Sequence, residues 1–378
     1  MRLVFLSCYL SVHQEPVCVK LYERLGQDFC YVATEPMRQE RVEMGYPDLD
    51  STYPFVIKAY ENETQEKRAR QLTLDADVVI FGSAPMNYIE ERLKEGKLTF
   101  CGFERLYKTE VQRWKIPIHA IKLYMKYGRH RSLYLLCASA YTAADYARTH
   151  TFVNKAYKWG YFPEVKEYKS IDVLLSQKGT ASIMWAGRFI NWKHPEYVVE
   201  VAKRLREDGY EFHINLIGNG EKLTEIKNLI QQADLQEQVV FLGAMSPDQV
   251  RIHMEISQIY LFTSDRNEGW GAVLNESMNS GCAVVASDAI GAVPFLINDG
   301  KNGLVFRSGD VDDLYQKVKF LLDNPNECSS LGKNAYVTMM KLWNAEIAAD
   351  RLLNLSQKLL QDEKHPYPYS EGPCSKAD

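Results

Sequence analysis

Two segments in the second half of the chain carry residue types and spacings that suit phosphate binding. The first is Gly187–Pro195 (GRFINWKHP), in which Arg188 and Lys193 stand five residues apart directly after an apolar run. Arginine offers phosphate oxygens a planar fork of donors, and lysine offers a compact charge. The pair therefore predicts an anion-binding loop, and the alternative is a solvated basic loop.

The second segment is Ser264–Glu276 (SDRNEGWGAVLNE), which also follows an apolar run. Gly269 and Gly271 allow the backbone to approach a ligand, and the N–H groups at a helix start can hold a diphosphate. Glu268 falls in the loop. Glu276 lies about a turn into the helix, where a carboxylate can accept ribose hydroxyls. The alternative is that Glu268 is a capping charge and Glu276 part of a solvated face.

A third segment, Gly218-Asn219-Gly220, is a weaker candidate for ligand binding. It departs from the GxGxxG fingerprint because Leu223 occupies the last position. A tight strand-to-helix turn explains it as well as a ligand contact does. Neither half of the chain has the glycine fingerprint and following acid of a nicotinamide oxidoreductase, so that class is disfavoured.

These segments must be positioned by alternating strands and helices. Strand-like runs alternate with amphipathic stretches along the chain, which predicts an α/β protein with parallel sheets covered on both faces. The predicted strands are Leu3–Leu6, Phe29–Val32, Phe55–Lys58, Val78–Phe81, Leu98–Cys101 and Leu133–Cys137, then Ser182–Ala186, Glu211–Leu216, Val239–Leu242, Ile259–Phe262, Ala283–Ala286 and Gly303–Phe306.

The predicted helices fill the gaps between these strands. They are Val17–Leu25, Glu61–Leu72, Tyr107–Tyr127, Ala140–Thr149, Pro195–Arg206, Glu221–Gln232, Pro247–Glu255, Val273–Asn279 and a last one from about Trp343 to Leu360. The strand pattern restarts after a less regular stretch at 161–180, which predicts two doubly wound domains. We expect the final residues, 365–378, to be frayed.

Composition narrows the class of protein. The 378 residues include 45 Lys and Arg against 49 Asp and Glu, a net charge of −4 that gives no bulk attraction to nucleic acid. The eight cysteines include no CxxC pair and no zinc-like cluster, which favours free thiols in a reducing, cytoplasmic setting. The first residues are typical of a strand rather than a signal peptide, and no apolar run is long enough to span a membrane.

With these motifs in view, the second half resembles the retaining family 4 glycosyltransferases of the GT-B fold. The resemblance covers roughly residues 181–322 and is carried by GRFINWKHPE, LIGNGE, VVFLGAMS, EGWGAVLNES and GCAVVASDAIGAVPFLI. It implies two Rossmann-like domains with a C-terminal helix that crosses back to the first. It also implies a donor-binding domain at 166–342 and an acceptor-binding domain at 1–165, completed by the helix in 343–378.

The resemblance also implies a role for each matching residue of the donor domain. Arg188 and Lys193 would grip the donor diphosphate, Glu268 would hydrogen-bond the sugar, and Glu276 would bind the ribose. The remaining donor-binding candidates are backbone positions and small residues, namely Gly218, Leu242, Gly243, Gly269, Trp270, Gly271 and Ala272.

The first half departs from the family pattern in two places. Ser7-Cys8-Tyr9 stands where many members have a glycine-rich loop, and Phe103-Glu104-Arg105 stands where many carry a histidine. Glu104 and His13 are therefore both candidates for a residue at the reaction centre. The alternatives are solvated loop residues, with an ion pair to Arg105 in the case of Glu104.

A basic segment with interleaved apolar and aromatic residues runs from 103 to 131. It carries eight Lys and Arg against two Glu. Such a helix can lie in an anionic membrane interface, so the segment predicts peripheral contact with the inner face of a membrane. A lipid-linked acceptor or a core-packed helix with a solvated basic face explains it as well.

The resemblance implies retention of anomeric configuration, with the departing diphosphate neutralised by Arg188 and Lys193. We therefore predict no metal and no cofactor beyond the nucleotide-sugar co-substrate. The three DxD sequences, at 48–50, 75–77 and 310–312, are unconvincing metal sites.

The predicted function is transfer of a sugar from a nucleotide sugar to a glycan or lipid-linked glycan in cell-surface polysaccharide synthesis. A UDP-sugar is favoured as the donor, with a GDP-sugar next. The alternative is a non-catalytic GT-B protein that binds a glycan or supports a partner enzyme.

Overall fold

The chain forms two compact units, each built on its own parallel sheet. A computed structural model describes residues 1–43, 45–108, 116–363 and 366–378. Unit 1 comprises Met1–Glu164 and Trp343–Asp378, and unit 2 comprises Val165–Leu342.

Both sheets contain parallel strands only, and their strand orders have the crossovers of doubly wound folds. Unit 1 has seven strands in the order β3-β2-β1-β4-β5-β6-β7, and unit 2 has six in the order β10-β9-β8-β11-β12-β13. The strands are β1 Leu3–Ser7, β2 Phe29–Ala33, β3 Val56–Lys58, β4 Val78–Phe81, β5 Thr99–Phe103, β6 Leu133–Cys137, β7 Ala156–Lys158, β8 Ser182–Ala186, β9 His213–Ile217, β10 Val239–Gly243, β11 Ile259–Phe262, β12 Ala283–Ser287 and β13 Leu304–Phe306.

Helices connect the strands. They are α1 Glu15–Leu25, α2 Gln39–Glu43, α3 Glu63–Asp75, α4 Glu90–Lys94, α5 Ile116–Leu123, α6 Thr142–Ala147, α7 Ile171–Ser176, α8 Pro195–Glu207, α9 Leu223–Gln232, α10 Pro247–Ile256, α11 Val273–Asn279, α12 Val293–Leu296, α13 Val311–Asp323, α14 Pro325–Lys341 and α15 Ala345–Leu360. A π-helical turn, Tyr124–Gly128, continues α5, and 3₁₀ turns lie at Gly26–Asp28, Met86–Tyr88 and Asn191–Lys193.

The sequence forms these sheets because the central strands are apolar on both faces. Every residue of β1, β4, β11 and β12 is buried, as expected for a parallel sheet covered by helices. Helix α8 begins with a proline in its first turn and buries Val198, Val201 and Leu205 at helical spacing. The α/β class predicted from the alternation is confirmed.

The last helix belongs to unit 1, as predicted. Asn344 caps α15 by accepting a hydrogen bond from the Ile347 N–H at 3.0 Å, which satisfies an N–H group left free by helix geometry. Its buried face includes Leu352 and Leu355. Arg24 at the end of α1 reaches α15, where its Nε lies 2.7 Å from an Asp350 oxygen.

The expected frayed tail is wrong. Residues 366–378 lie against the edge strand β7: the Lys158 N–H donates to the Ser375 carbonyl at 2.7 Å, and the Ala377 N–H to the Ala156 carbonyl at 3.1 Å. Cys374 is fully buried. A parallel edge strand leaves unpaired N–H and C=O groups, and the tail satisfies them.

Several further elements differ from the sequence prediction. Strand β7 and helices α2, α4, α7, α12, α13 and α14 match none of the predicted ranges. Of the helix expected at Tyr107–Tyr127, the structure describes Tyr107 and Lys108 as non-helical and residues from Ile116 onward as helix. Residues 109–115 of that expected helix lie outside the described residues. No helix within the described ranges is long and apolar enough to cross a membrane, and all eight cysteines are free thiols.

Deleting residues 366–378 should destabilise unit 1, because the deletion exposes the edge of β7 and the surface that Cys374 and Ala377 cover. We expect the free energy of unfolding to fall by at least about 2 kcal/mol in a urea titration. Removing only the exposed Asp378 is the control and should change nothing measurable. An unchanged stability after the full deletion would contradict the docked tail.

Candidate functional site

The predicted anion-binding segments meet at one edge of the sheet in unit 2. Strands β9, β8 and β11 are neighbours and all run parallel. Their carboxyl ends lead into the loops that begin at Gly218, Gly187 and Thr263. In open parallel sheets, ligands bind outside this edge.

An ion pair joins two of these loops. The Lys193 Nζ donates to Glu268 Oε2, and the Ser264 hydroxyl donates to the same oxygen at 3.0 Å. Only 14% of the Lys193 side chain and 11% of the Glu268 side chain are exposed. The carboxylate of Glu268 is thus held by Lys193 and Ser264, and α11 has no side-chain cap at Ala272. The alternative of Glu268 as a helix cap has no support in this geometry.

Backbone and hydroxyl contacts reinforce this ion pair. The Thr263 hydroxyl donates to the Lys193 carbonyl at 2.6 Å, and the Trp185 indole N–H donates to Thr263 Oγ1 at 2.9 Å. The Asp265 N–H donates to the Trp192 carbonyl at 2.9 Å. These bonds hold the loop after β8 against the loop after β11, so the two candidate segments form one structural feature.

Arg188 lies near the same ion pair but is exposed and pairs with no acid among the described residues. Its guanidinium carbon is 5.7 Å from the Trp192 ring centroid, and the Lys193 Nζ is 4.7 Å from that centroid. An aromatic face stabilises a nearby cation by its quadrupole. Sequence reasoning missed Trp192, although an aromatic residue between two cations in GRFINWK was a readable signal.

The glycine at 218 is required by a close approach of two backbones. A Cβ at Gly218 would stand 1.9 Å from the Gly187 carbonyl oxygen, and one at Gly220 would stand 2.5 Å from the Phe189 carbonyl oxygen. The Phe189 N–H also donates to the Asn219 carbonyl at 2.9 Å. The turn after β9 therefore supports the backbone that carries Arg188.

Glu276 lies in the first turn of α11 and is half-buried. Burial raises the pKa of its carboxyl to about 7, although the positive charge of Arg251 opposes that rise. No described side chain forms a hydrogen bond or ion pair with this carboxyl. A partly desolvated carboxyl without a partner is suited to accept hydroxyls from a ligand. Glu276 is therefore not part of a solvated helix face, which was the alternative for this residue.

The segment Gly269–Ala272 contributes backbone rather than side chains. Trp270 is 1% exposed, and its indole N–H donates to Asn275 Oδ1 at 2.9 Å. Gly271 adopts φ +90°, and a Cβ there would collide with the Phe262 ring at 2.5 Å. Helix α11 has only seven residues, so its dipole is small and the two cations are the main positive charges here.

Leu242 and Gly243 lie at the end of the edge strand β10. The Gly243 carbonyl accepts the Gly218 N–H at 2.8 Å, and the pairing of β10 with β9 shifts register at this point. Gly243 is exposed. Both residues therefore border the same sheet edge as Gly218.

His194 links the lysine loop to its neighbours. Its Nδ1 lies 2.8 Å from Glu196 Oε1, and its Nε2 lies 3.5 Å from Asp265 Oδ2. The backbone of His194 is left-handed, with φ +49°. Burial disfavours the charged imidazole, but Glu196 and Asp265 outweigh that effect and raise the pKa of His194. Sequence reasoning did not single out this residue.

The two first-half candidates lie together in unit 1. His13 stacks on Tyr161 with ring centroids 5.8 Å apart, and the Tyr161 hydroxyl donates to Glu104 at 2.7 Å. The other Glu104 oxygen accepts from Lys108 at 2.6 Å. Glu104 is thus bonded on both oxygens. The alternative of an ion pair between Glu104 and Arg105 is not seen among the described residues, where the Arg105 Nε lies 3.6 Å from Asp145 Oδ2.

A cavity of about 200 Å³ borders His13 at the carboxyl ends of β1 and β4. Its lining includes three serine hydroxyls and one cation, from Ser7, Ser11, Ser83 and Arg41. The His13 Nδ1 is buried and has no hydrogen-bond partner among the described residues. Burial, with a smaller contribution from the Arg41 charge, lowers the pKa of His13 to about 4, so the imidazole is neutral at pH 7.

The acidic residues of two DxD motifs have local structural roles. Asp50 accepts the Leu10 N–H at 2.9 Å and the Tyr60 hydroxyl at 3.2 Å. Asp310 caps α13 by accepting the Asp313 N–H at 3.0 Å. In the part of the chain that the structure describes, no three His, Cys, Asp or Glu side chains are grouped as metal ligands.

Part of this chain is similar to known glycosyltransferases. Residues 167–338 match the model of the family "Glycosyl transferases group 1". The alpha-D-kanosaminyltransferase of Streptomyces kanamyceticus is 26% identical over 177 residues, which is 47% of this chain and 45% of that protein. The poly(ribitol-phosphate) alpha-N-acetylglucosaminyltransferase of Staphylococcus aureus is 26% identical over 170 residues, 44% of this chain and 34% of that protein. The matched stretches span under half of these curated relatives.

Solved structures resemble the whole chain. The crystal structure of Anabaena HepE in complex with UDP has a TM-score of 0.67 at 13% identity and covers 96% of this chain and 99% of that one. With the two parallel sheets, this likeness confirms the GT-B fold.

Replacing Gly218 with Ala should displace the loop that carries Arg188, because the new Cβ collides with the Gly187 carbonyl. Gly209→Ala is the matched control, since Gly209 also has a positive φ but has open space around its Cβ position. We expect the free energy of unfolding to fall by about 2 kcal/mol more for Gly218→Ala than for the control. Equal losses would show that the close approach is unimportant.

His194→Asn should remove a pH-dependent part of the stability, since asparagine tolerates the left-handed backbone but does not titrate. The raised pKa of His194 contributes stability that is complete below about pH 6.5 and is lost as pH rises through the folded-state pKa. The advantage of the wild-type protein over the variant should therefore shrink as the pH rises above about 6.5 in urea titrations. An advantage that is constant or grows with pH would contradict the proposed contacts.

Proposed function

We propose that the protein, whose second unit carries a glycosyl transferases group 1 domain, is a glycosyltransferase that uses a nucleoside diphosphate sugar. The observation that carries the proposal is the pair of cations, Arg188 and Lys193, both near the Trp192 ring at the ligand-binding edge of the unit 2 sheet. Arg188 has no acid partner among the described residues, so its charge is available to an anion.

The diphosphate is the part of the donor that these cations suit. Breaking the glycosidic bond leaves negative charge on the departing diphosphate, and fixed positive charges at that point stabilise the transition state. Arg188 supplies a planar fork, and Lys193 supplies a point charge. Backbone N–H groups at Gly269–Ala272 add donors at the same sheet edge.

Binding of the donor would rearrange the buried ion pair. The Lys193 ammonium is bonded to Glu268 in this structure, and a phosphate oxygen would compete for that ammonium. Glu268 would then be free to accept a hydroxyl of the donor sugar, while Ser264 keeps its bond to the carboxylate. In this proposal Lys193 and Glu268 exchange partners when the donor binds.

The half-buried carboxyl of Glu276 would bind the ribose. Two vicinal hydroxyls offer two hydrogen bonds to a carboxylate that has no described partner. Such bonds favour the charged form and would lower the pKa of about 7 that Glu276 has in the free protein. Leu242 and Gly243 would border the base, and we propose a UDP-sugar as donor, with a GDP-sugar next. The HepE structure that resembles this chain contains UDP.

The cavity of unit 1 is our candidate for the acceptor site. Its serine hydroxyls and the neutral imidazole of His13 suit sugar hydroxyls, which both donate and accept hydrogen bonds. We propose a glycan or lipid-linked glycan of cell-surface polysaccharide synthesis as the acceptor, with His13 or Glu104 near the reacting hydroxyl. Transfer would retain configuration, need no metal and take place in the cytoplasm.

Arg188→Ala should weaken UDP binding without unfolding the protein, because Arg188 is exposed and pairs with no described acid. We expect UDP affinity to fall by about 10- to 100-fold, as for loss of one charge-assisted contact. Lys203→Ala, an exposed cation on α8, is the control. In a thermal-shift titration, UDP at about 100 times its Kd should stabilise wild type by about 2.7 kcal/mol.

Undiminished UDP binding by Arg188→Ala would contradict the donor site. Release of UDP from UDP-sugars in the presence of a lipid-linked glycan fraction then tests transfer. Binding of donor with no release under any acceptor condition would favour a non-catalytic, glycan-binding protein.

A further inference from the structure

An exposed apolar face lies on helix α5 and the π turn that follows it. Four large apolar side chains are exposed there, namely Ile118 at 50%, Ile121 at 67%, Tyr124 at 50% and Met125 at 52%. Positions 118, 121 and 125 share one face of a helix. Exposed apolar residues are ordinary when scattered, but four within eight residues form a patch that marks an interaction surface.

Positive charge surrounds this patch. Lys122, Lys126, Arg129 and Arg131 are all exposed, and residues 116–131 contain no Asp or Glu. Among the described residues, none of these four cations forms an ion pair with an acid. We call these cations and the four apolar residues the α5 face. Its charge contrasts with the net charge of −4 of the whole chain.

The opposite side of the same segment is anchored in unit 1. Tyr127 is 7% exposed, and its ring packs against Phe103 and Phe152 with centroid distances of 5.5 and 5.9 Å. Gly128 is where the π turn ends, and the Arg129 N–H donates to the Tyr124 carbonyl at 3.0 Å. The α5 face is therefore the outward side of an element that is fixed to the sheet.

The charge and the apolar side chains of the α5 face distinguish between two binding partners, a second copy of this chain and an anionic bilayer. A second copy of this chain would bring four more cations against the first four, and like charges repel across an interface. An anionic bilayer offers lipid phosphates to the cations and acyl chains to the isoleucines and the methionine. Tyrosine prefers the interface between these two regions.

We propose that the α5 face binds reversibly to the surface of a bilayer that contains anionic lipids. The apolar side chains would insert at the level of the headgroups, while the four cations contact lipid phosphates. This inference goes beyond sugar transfer, because it depends on no residue of the donor site.

Vesicle co-sedimentation of the purified full-length chain tests the proposal. The probes are vesicles of phosphatidylcholine alone and of phosphatidylcholine with phosphatidylglycerol. We expect binding to the mixed vesicles only, and release at high salt, because salt screens the cation–phosphate attraction. Ile121→Asp and the double variant Lys122→Glu/Lys126→Glu should each lower the partition coefficient by at least about tenfold.

Matched controls separate this surface from a general effect of charge or folding. Ile252→Asp changes an isoleucine that is 56% exposed on α10 of unit 2, and Lys203→Glu/Lys227→Glu changes two lysines of unit 2. Both controls should bind vesicles like the wild-type protein. UDP binding in the thermal-shift assay should be equal in all variants, which shows that they are folded and keeps this test apart from the donor proposal.

Three outcomes of the vesicle experiment would overturn the proposal. They are absence of wild-type binding to mixed vesicles, equal binding by Ile121→Asp, and equal loss in the unit 2 controls. A dimer in solution that Ile121→Asp dissociates would also overturn it, because the α5 face would then be covered by a second copy. A loss of vesicle binding with retained UDP binding would support it.

Discussion

The buried ion pair between Lys193 and Glu268 is the interaction on which the candidate donor site depends. It joins the loop after β8 to the loop after β11 across 75 residues of sequence. Burying two charges is costly unless each is paired and hydrogen-bonded. Here the Ser264 hydroxyl donates a further hydrogen bond to the Glu268 carboxylate. Hydrogen bonds from Thr263 and Asp265 hold the backbones of the two loops together beside the ion pair. The free protein thus keeps a cation and an acid in place at low exposure.

Backbone packing positions the rest of the site around this pair. The turn at Gly218-Asn219-Gly220 approaches Gly187 and Phe189 so closely that no Cβ fits between them. Both cations lie near the Trp192 ring, and His194 connects the end of the same loop to Glu196 and Asp265. Arg188 is left without an acid, and Glu276 without a described partner. The loops of the site are therefore held in place by packing and hydrogen bonds, whereas the charged groups of Arg188 and Glu276, which would contact a ligand, have no described acid or hydrogen-bond partner.

Much of this fold was predictable because parallel strands are continuous apolar runs. All twelve predicted strands occur, with ends that differ by no more than two residues. Strand β7 was missed because Ala156–Lys158 has only three residues and its edge is covered by a tail distant in sequence. Helix α14 was missed because an apolar stripe is hard to recognise in a helix that carries Gly332 and many polar residues. The tail itself has the composition of a frayed end, and only its partner strand orders it.

The candidate site was predictable in its residues but not in its contacts. Arg188, Lys193, Glu268 and Glu276 stand out by type and by their position after strands, and the structure brings their loops to one sheet edge. The partnership of Lys193 with Glu268 depends on side-chain directions that spacing does not specify. In the same way, Glu104 bonds to Tyr161 and Lys108 rather than to its neighbour Arg105. The role of Gly218 as a packing glycine requires the adjacent strand.

The central claim is that unit 2 binds a nucleoside diphosphate chiefly through its cations. Calorimetric titration of the wild-type chain with UDP, UMP and uridine tests it most directly, because the three ligands share base and ribose and differ in phosphate. We predict that UDP binds at least about tenfold more tightly than UMP, and that uridine binds more weakly still. Similar affinities for all three ligands would contradict it, since Arg188 and Lys193 would then contribute nothing to recognition.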